Sequence, residues 1–146
     1  MIVNIAYLLI PKHRVAFLYD DNTMRQGLEK LRHHGLSAVP VINRKGQYVG
    51  TVSEGDFLWR LIPDEGTPCP CTVKDLERLH VRDILQENPS VRITASLDEL
   101  LNNIIRHNFV PVVDDLNSFI GIVTRRSIIR YLAKEKESAP SLRKIV

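Results

Sequence analysis

Ala38-Val39-Pro40-Val41-Ile42 is a short apolar, β-branched run broken by one proline, and Val49-Gly50-Thr51-Val52-Ser53 follows it after a turn. The same pair of runs returns 71 residues later as Phe109-Val110-Pro111-Val112-Val113 and Ile120-Gly121-Ile122-Val123-Thr124. Self-similarity at a fixed offset marks a repeated structural unit, so the chain reads as two copies of one fold. The correspondence runs on to Phe57-Leu58 and Ile128-Ile129. Upstream the offset becomes 73, pairing Thr23-Met24 with Ser96-Leu97, Leu28 with Leu101, Leu31 with Ile104 and His34 with His107. The second copy is therefore two residues shorter just before its Val-Pro.

Within each copy, Thr23 or Ser96 suits the cap of a helix whose apolar residues recur at steps of three and four: Met24, Leu28, Leu31, and Leu97, Leu100, Leu101, Ile104. Gly35 suits the left-handed residue that ends the first helix, and Asn108 is the next-best residue type for that place in the second. Val39–Ile42 and Val110–Val113 read as buried strands, each closed by a turn, Asn43-Arg44-Lys45-Gly46 or Asp114-Asp115-Leu116-Asn117. Second strands follow at Tyr48–Val52 and Phe119–Val123, and second helices begin at Ser53 and Thr124. With leading strands near Val15–Tyr19 and Ser90–Ile93, each unit has the order β-α-β-β-α, an α/β (α+β) fold. Residues 63–80 hold Pro63, Pro68 and Pro70 and read as a linker. The expected division is a first unit over 1–66 with a helical lead-in, a linker over 67–80, a second unit over 81–134 and a basic tail over 135–146.

The chain has 146 residues, 44% hydrophobic and 25% charged, a composition that excludes long disorder and fibrous structure. Its net charge of +3 is uneven, because residues 125–146 carry seven basic and two acidic side chains. The longest apolar run, Ile5 to Ile10, is far shorter than the roughly 18–20 residues that span a bilayer. The first basic residue, Lys12, follows that run rather than preceding it, which is unlike a signal peptide, and the expectation is a cytoplasmic protein with no membrane association. Cys69 and Cys71 supply only two of the four ligands of a structural zinc, with His80 the one nearby candidate, so they read as reduced loop residues and no metal is expected.

His33 through Ile42, Gly46, and Val49-Gly50-Thr51-Val52-Ser53-Glu54-Gly55-Asp56-Phe57-Leu58 together resemble a cystathionine-β-synthase (CBS) domain, and residues 81–133 resemble a second. The resemblance covers about residues 5–134 and implies a Bateman module: two units packed sheet to sheet about a pseudo-twofold axis, binding adenine-containing ligands in the clefts between them and pairing into flat homodimers. The stretch Ile5 to Ala16, with Thr124-Arg125-Arg126, is similar to small stand-alone bacterial CBS proteins that bind AMP or cyclic di-AMP.

Ser53-Glu54-Gly55-Asp56 has a reading that needs no ligand: a capping box in which Ser53 and Asp56 satisfy each other's backbone N–H groups. The resemblance implies a second role, with the Asp56 carboxylate accepting both ribose hydroxyls and Ser53 donating to a phosphate near the helix N-terminus. It also places the adenine between Arg14-Val15-Ala16 and Leu36-Ser37-Ala38-Val39-Pro40, with Thr51 bordering the site. In the second unit, Ser127 stands where the family has its ribose Asp, and the deletion falls in the loop Asn108-Phe109-Val110-Pro111. Both departures mark that site as degenerate or differently used. Thr124 opens its last helix, and Arg125 and Arg126 sit in a first turn, where the helix dipole disfavours cations by about 0.3–1 kcal/mol each. Either these arginines are solvated, or one crosses the cleft to the phosphate of a nucleotide held by Asp56. His33, His34 and His107 read as helix-end residues suited to the dipole.

No nucleotide-phosphate loop, nucleophile elbow or His-Glu-x-x-His is legible, so the chain is not read as an enzyme and no cofactor is implied. The leading expectation is a sensor whose adenine-nucleotide occupancy is read by a separate effector protein. Two other readings stay open. One is a nucleic-acid-associated protein using the basic C-terminal segment, disfavoured because residues 132–146 contain no aromatic side chain for base stacking. The other is a dimerisation module without ligands.

Overall fold

In the computed structural model, which describes residues 4–62, 66 and 72–137, helix α2 (Met24–His34) opens on a reciprocal cap. The Gln26 N–H donates to Thr23 Oγ1 at 3.1 Å, and the Thr23 N–H donates to Gln26 Oε1 at 2.9 Å. The helix ends at Gly35, which takes the left-handed conformation (φ 63°) that costs a glycine little. Its buried residues Met24, Gly27 and Leu31 face a core shared with Leu18, Val39, Val41, Val52 and Phe57. Gly27 is needed there, since a Cβ would stand 2.9 Å from the Phe57 ring.

Ahead of α2 lie α1 (Ile5–Leu8), β1 (Ile10–Pro11), a 3-10 turn (Lys12–Arg14) and β2 (Leu18–Tyr19). After it come β3 (Ala38–Ile42), β4 (Tyr48–Ser53), α3 (Glu54–Leu61) and α4 (Val73–Arg78). A 3-10 turn over Val81–Ile84 leads to β5 (Val91–Arg92), α5 (Leu97–Ile104), β6 (Phe109–Val113), β7 (Phe119–Thr124) and α6 (Arg125–Glu137). One sheet has the order β2-β3-β4, the other β1-β7-β6-β5. In each, a two-residue strand runs parallel to the proline-containing strand, which pairs antiparallel with the next: β2 and β5 on one side, β4 and β7 on the other. The repeat read from the sequence is thus the repeat of the fold.

Three differences from the sequence reading have physical causes. The segment from Ile5 to Pro11, grouped by sequence with the first unit, packs on the second: β1 pairs antiparallel with β7, Ile10 opposite Ile122 and Pro11 opposite Gly121. Ile5 is fully buried in the second unit's core, with Leu8 and Leu9 packed against it. A short helix, α4, forms inside the stretch assigned to the linker, nucleated by Thr72 and Asp75 in a capping box. Finally, Asn108 is not a left-handed cap; α5 stops at Ile104, and among the described residues Asn117 is the one non-glycine with positive φ. The carbonyls at that helix end are satisfied by Arg125 instead. Cys69 and Cys71 lie outside the described residues.

The two sheets meet along a seam. Ile42 and Tyr48 of the first unit and Val113 and Phe119 of the second form one buried cluster, and the Tyr48 and Phe119 rings stack at 6.3 Å. The β-turns on either side hydrogen-bond across it: Tyr48 N–H to the Asn117 carbonyl at 3.1 Å, Phe119 N–H to the Gly46 carbonyl at 2.9 Å. Gly46 (φ 82°) and Asn117 (φ 62°) are the matching positions of the two turns.

Candidate ligand clefts

Both clefts originate in the shortness of β2 and β5. β2 covers only Val41 and Ile42, so the edge of β3 at Ala38, Val39 and Pro40 has no strand beside it. Thr51, opposite Pro40, spends both backbone groups on Gln86, at 3.1 and 2.9 Å, on the far side of β4. Pro40 therefore occupies a position whose N–H would have pointed at the open edge, and a proline leaves no donor stranded there. β5 likewise covers only Val112 and Val113, leaving the edge at Phe109 to Pro111 open.

The larger cleft, about 540 Å³, lies along the open edge of β3. Of the residues singled out by sequence it gathers Arg14, Val15, Ala16, Leu36, Ala38 and Pro40, and adds Ile10, Phe109 and Ile122 from the second unit's sheet and its β1 extension. Its basic rim consists of His13, Arg14, Lys30 and His34, and among the described residues no carboxylate borders it. The smaller cleft, about 260 Å³, gathers Thr51, Ser53 and Asp56 with Ala38, faced by Gln86, Glu87 and Asn88 and by Arg106 to Phe109 of the second unit. Ala38 and Phe109 border both. The expected base pocket and the expected ribose carboxylate thus lie in different clefts. The cause is reciprocal crossing: the segment leading into each unit lies against the other unit's outer strand, Ile10 on β7 and Gln86 on β4.

Asp56 is engaged in its cap. Its Oδ2 accepts from the Ser53 N–H at 2.7 Å and from the Ser53 hydroxyl at 3.0 Å, while the Asp56 N–H donates to Ser53 Oγ at 3.3 Å. The matching cap of α6 has no carboxylate: Thr124 and Ser127 hydroxyls lie 2.7 Å apart, and the Ser127 N–H donates to Thr124 Oγ1. Ser37, Thr124, Arg125 and Arg126 border neither cleft. Ser37 contributes a backbone carbonyl, which accepts from the Glu54 N–H at 2.8 Å. Arg125 does not cross to Asp56; its guanidinium donates to the Ile104 carbonyl at 3.2 and 2.9 Å and to the His107 carbonyl at 3.2 Å, all within its own unit. Arg126 is exposed. Arg106, which sequence reasoning passed over, is the arginine that shares a cleft with Asp56. Lys30 and Asn88 were passed over too. The pairing of His34 with His107 held a usable signal, since each borders one cleft.

Among the described residues no helix is long and apolar enough to cross a membrane. A family model for the CBS domain matches residues 9–62 and 81–134. The uncharacterised protein MJ1426 of Methanocaldococcus jannaschii is 26% identical over 143 residues, covering 79% of this chain and 84% of that protein. Among solved structures, a hypothetical conserved protein (GK1048) of Geobacillus kaustophilus is 28% identical, with a TM-score of 0.80 over 92% of this chain and 99% of that one. CbpB of Listeria monocytogenes, solved in complex with c-di-AMP, is 25% identical, with a TM-score of 0.76 over 94% of this chain and 100% of that one. With the family model on both halves, the repeated β-α-β-β-α unit and the open-edged proline strands, the chain belongs to the CBS domain family as a tandem pair.

Proposed function

We propose that this protein is a regulatory module that binds an adenine nucleotide (AMP, ADP, ATP or cyclic di-AMP) between its two units and conveys occupancy to an effector protein. The observation that carries this reading is the make-up of the larger cleft. Val15, Ala16, Val39, Pro40 and Ile122 give it an apolar floor, and four basic side chains rim it with no carboxylate among the described residues. Such a surface suits a flat base on the floor and a phosphate at the rim. Its volume falls in the roughly 300–1,000 Å³ range of small-molecule clefts. The likeness to c-di-AMP-bound CbpB supports the same ligand class. In the smaller cleft, Asp56 offers an acceptor for ribose hydroxyls, and Arg106 takes the phosphate-facing role first given to Arg125 and Arg126.

Both clefts are lined by both units, so a ligand in either acts on the angle between the sheets. Exposed Leu58, Trp59 and Ile62 at α3 and Ile129 on α6 support pairing of two copies into a homodimer. A thermal-shift panel of AMP, ADP, ATP, cyclic di-AMP and S-adenosylmethionine tests the reading, followed by calorimetry on an Arg14→Ala, Lys30→Ala double variant. At least one adenine nucleotide should raise the midpoint, and the double variant should bind it at least about tenfold more weakly. A panel without response, or an affinity indifferent to both basic residues, overturns the proposal.

A further inference from the structure

Arginine and lysine are charged across the neutral range, whereas histidine changes its charge between about pH 5 and 8. The rim of the larger cleft mixes the two kinds: Arg14 and Lys30 are of the first, His13 and His34 of the second. His13 lies in the 3-10 turn Lys12–Arg14 and His34 ends α2, and both are exposed. Nothing acidic beside them fixes their charge. The 3-10 turn packs on β7, which has no charged residue, and its other two side chains, Lys12 and Arg14, are cations. Along α2, His34 has Lys30, Arg32 and His33 for neighbours, the two imidazoles 5.0 Å apart, and the one acid of that helix, Glu29, is paired with Arg25. Of the helices packed on α2, α3 carries Glu54, Asp56 and Arg60. The other, α4, carries Lys74, Asp75, Glu77 and Arg78. Asp56 accepts from Ser53, Asp75 from Thr72 and Glu77 from Arg25. Among the described residues no carboxylate is ion-paired with His13 or His34.

We infer that the larger cleft takes up protons together with its ligand, His13 and His34 gaining charge as a phosphate settles among the rim residues, so that occupancy follows pH as well as nucleotide concentration. The inference rests on the reading of the clefts as nucleotide sites and names how one of them is regulated. A phosphate brought among these side chains favours the charged form of each imidazole over the neutral one. By reciprocity, acid favours the bound ligand. An imidazolium about 4 Å from a phosphate strengthens binding roughly fivefold even at the dielectric constant of water. Two of them, charged only in part at either end of the range, give roughly tenfold between pH 8 and pH 6. The smaller cleft is not built for this response: its one histidine, His107, shares the lining with Asp56 and Glu87, which repel a phosphate. A given nucleotide concentration therefore fills the larger cleft in acid and leaves it partly empty in alkali.

Calorimetry of the full chain with AMP, ADP, ATP and cyclic di-AMP tests this, at pH 8 and pH 6 and in two buffers of unlike ionisation enthalpy. The larger cleft's signal is the part that the Arg14→Ala, Lys30→Ala double variant removes. The nucleotide bound there should bind roughly tenfold more tightly at pH 6 than at pH 8, with net proton uptake. A phosphate monoester that meets cations releases protons, and a phosphodiester has none to release, so uptake comes from the protein. A His13→Gln, His34→Gln double variant, changed only at exposed positions, should bind roughly tenfold more weakly than wild type at pH 6. It should hold that affinity nearly constant up to pH 8 and take up no proton. Adenosine, which has no phosphate, should bind alike at both pH values. An affinity that does not rise on acidification, or a rise that survives in the histidine double variant, overturns the role of the two histidines and leaves the nucleotide reading in place. Binding of no nucleotide in the larger cleft at either pH overturns both.

Discussion

Arg125 shows how a residue in the right place by sequence can be committed elsewhere by geometry. Its position in the first turn of α6 reads as a cation waiting for an anion, yet its guanidinium closes the end of α5 through two carbonyls. Charge-assisted bonds of this sort contribute about 1.5–3 kcal/mol. Arg125→Ala should therefore lower unfolding stability by about 2 kcal/mol, whereas Arg126→Ala, exposed, should change it by less than about 0.5 kcal/mol; urea titrations of both variants check the contrast. Tyr48 yields a pH prediction. Burial pushes its hydroxyl from 10.0 up to about 12, so the folded state holds a proton that the unfolded chain releases. Its contribution is fully present below pH 10.0 and is lost as pH rises toward about 12. The loss is on the order of 2 kcal/mol, and comparing wild type with Tyr48→Phe by urea unfolding at pH 9.5 and 11.5 isolates it. The caps at Thr23, Ser53 and Ser96 were legible in the sequence because a cap is a local pattern of residue types. Asn88 and Arg106 were not, since what singles them out is a neighbour 21 residues or a whole unit away.

Among the elements, α1 and β1 carry the largest departure from the sequence reading. Periodicity locates strands but not the sheet they join, and two residues of β1 give too little pattern to say that Ile10 lies on β7. The docking depends on Gly121, where a Cβ would run into the Ile10 carbonyl and would stand 2.9 Å from Leu9. Gly121→Ala should thus push β1 off the sheet at a cost of about 1–3 kcal/mol. Hydrogen exchange of the Ile10 amide and early proteolysis before Lys12 would report the release. Gly50→Ala, at the matching place on β4, meets the Gln86 carbonyl at 3.1 Å and should cost less. Equal costs would show that the two crossings are held alike. Since Ile10, His13 and Arg14 border the larger cleft, releasing β1 should also weaken nucleotide binding there.

At the scale of the whole molecule, the seam of Ile42, Tyr48, Val113 and Phe119 and the two crossings make each unit part of the other's structure. Unfolding should be one transition. Val39→Ala and Val110→Ala, buried in the first and second cores, should each move that single midpoint by about 2 kcal/mol; two resolved steps, one per variant, would mean independent units. The repeat was plain from the sequence because its offset is a property of the chain; the exchange of leading segments was not, because it is a property of how the copies meet. Consider a single copy by itself: its outer strand would lack the segment that covers it, and its own leading segment would have nothing to cover. Only by trading segments with another copy could it complete itself, at a rate and yield set by protein concentration. Joining the copies in one chain replaces that encounter by a tethered one, at an effective concentration of about millimolar for a short connection. Duplication in tandem thus frees the fold from its own abundance, and lets the two copies diverge into two unlike clefts that share Ala38 and Phe109.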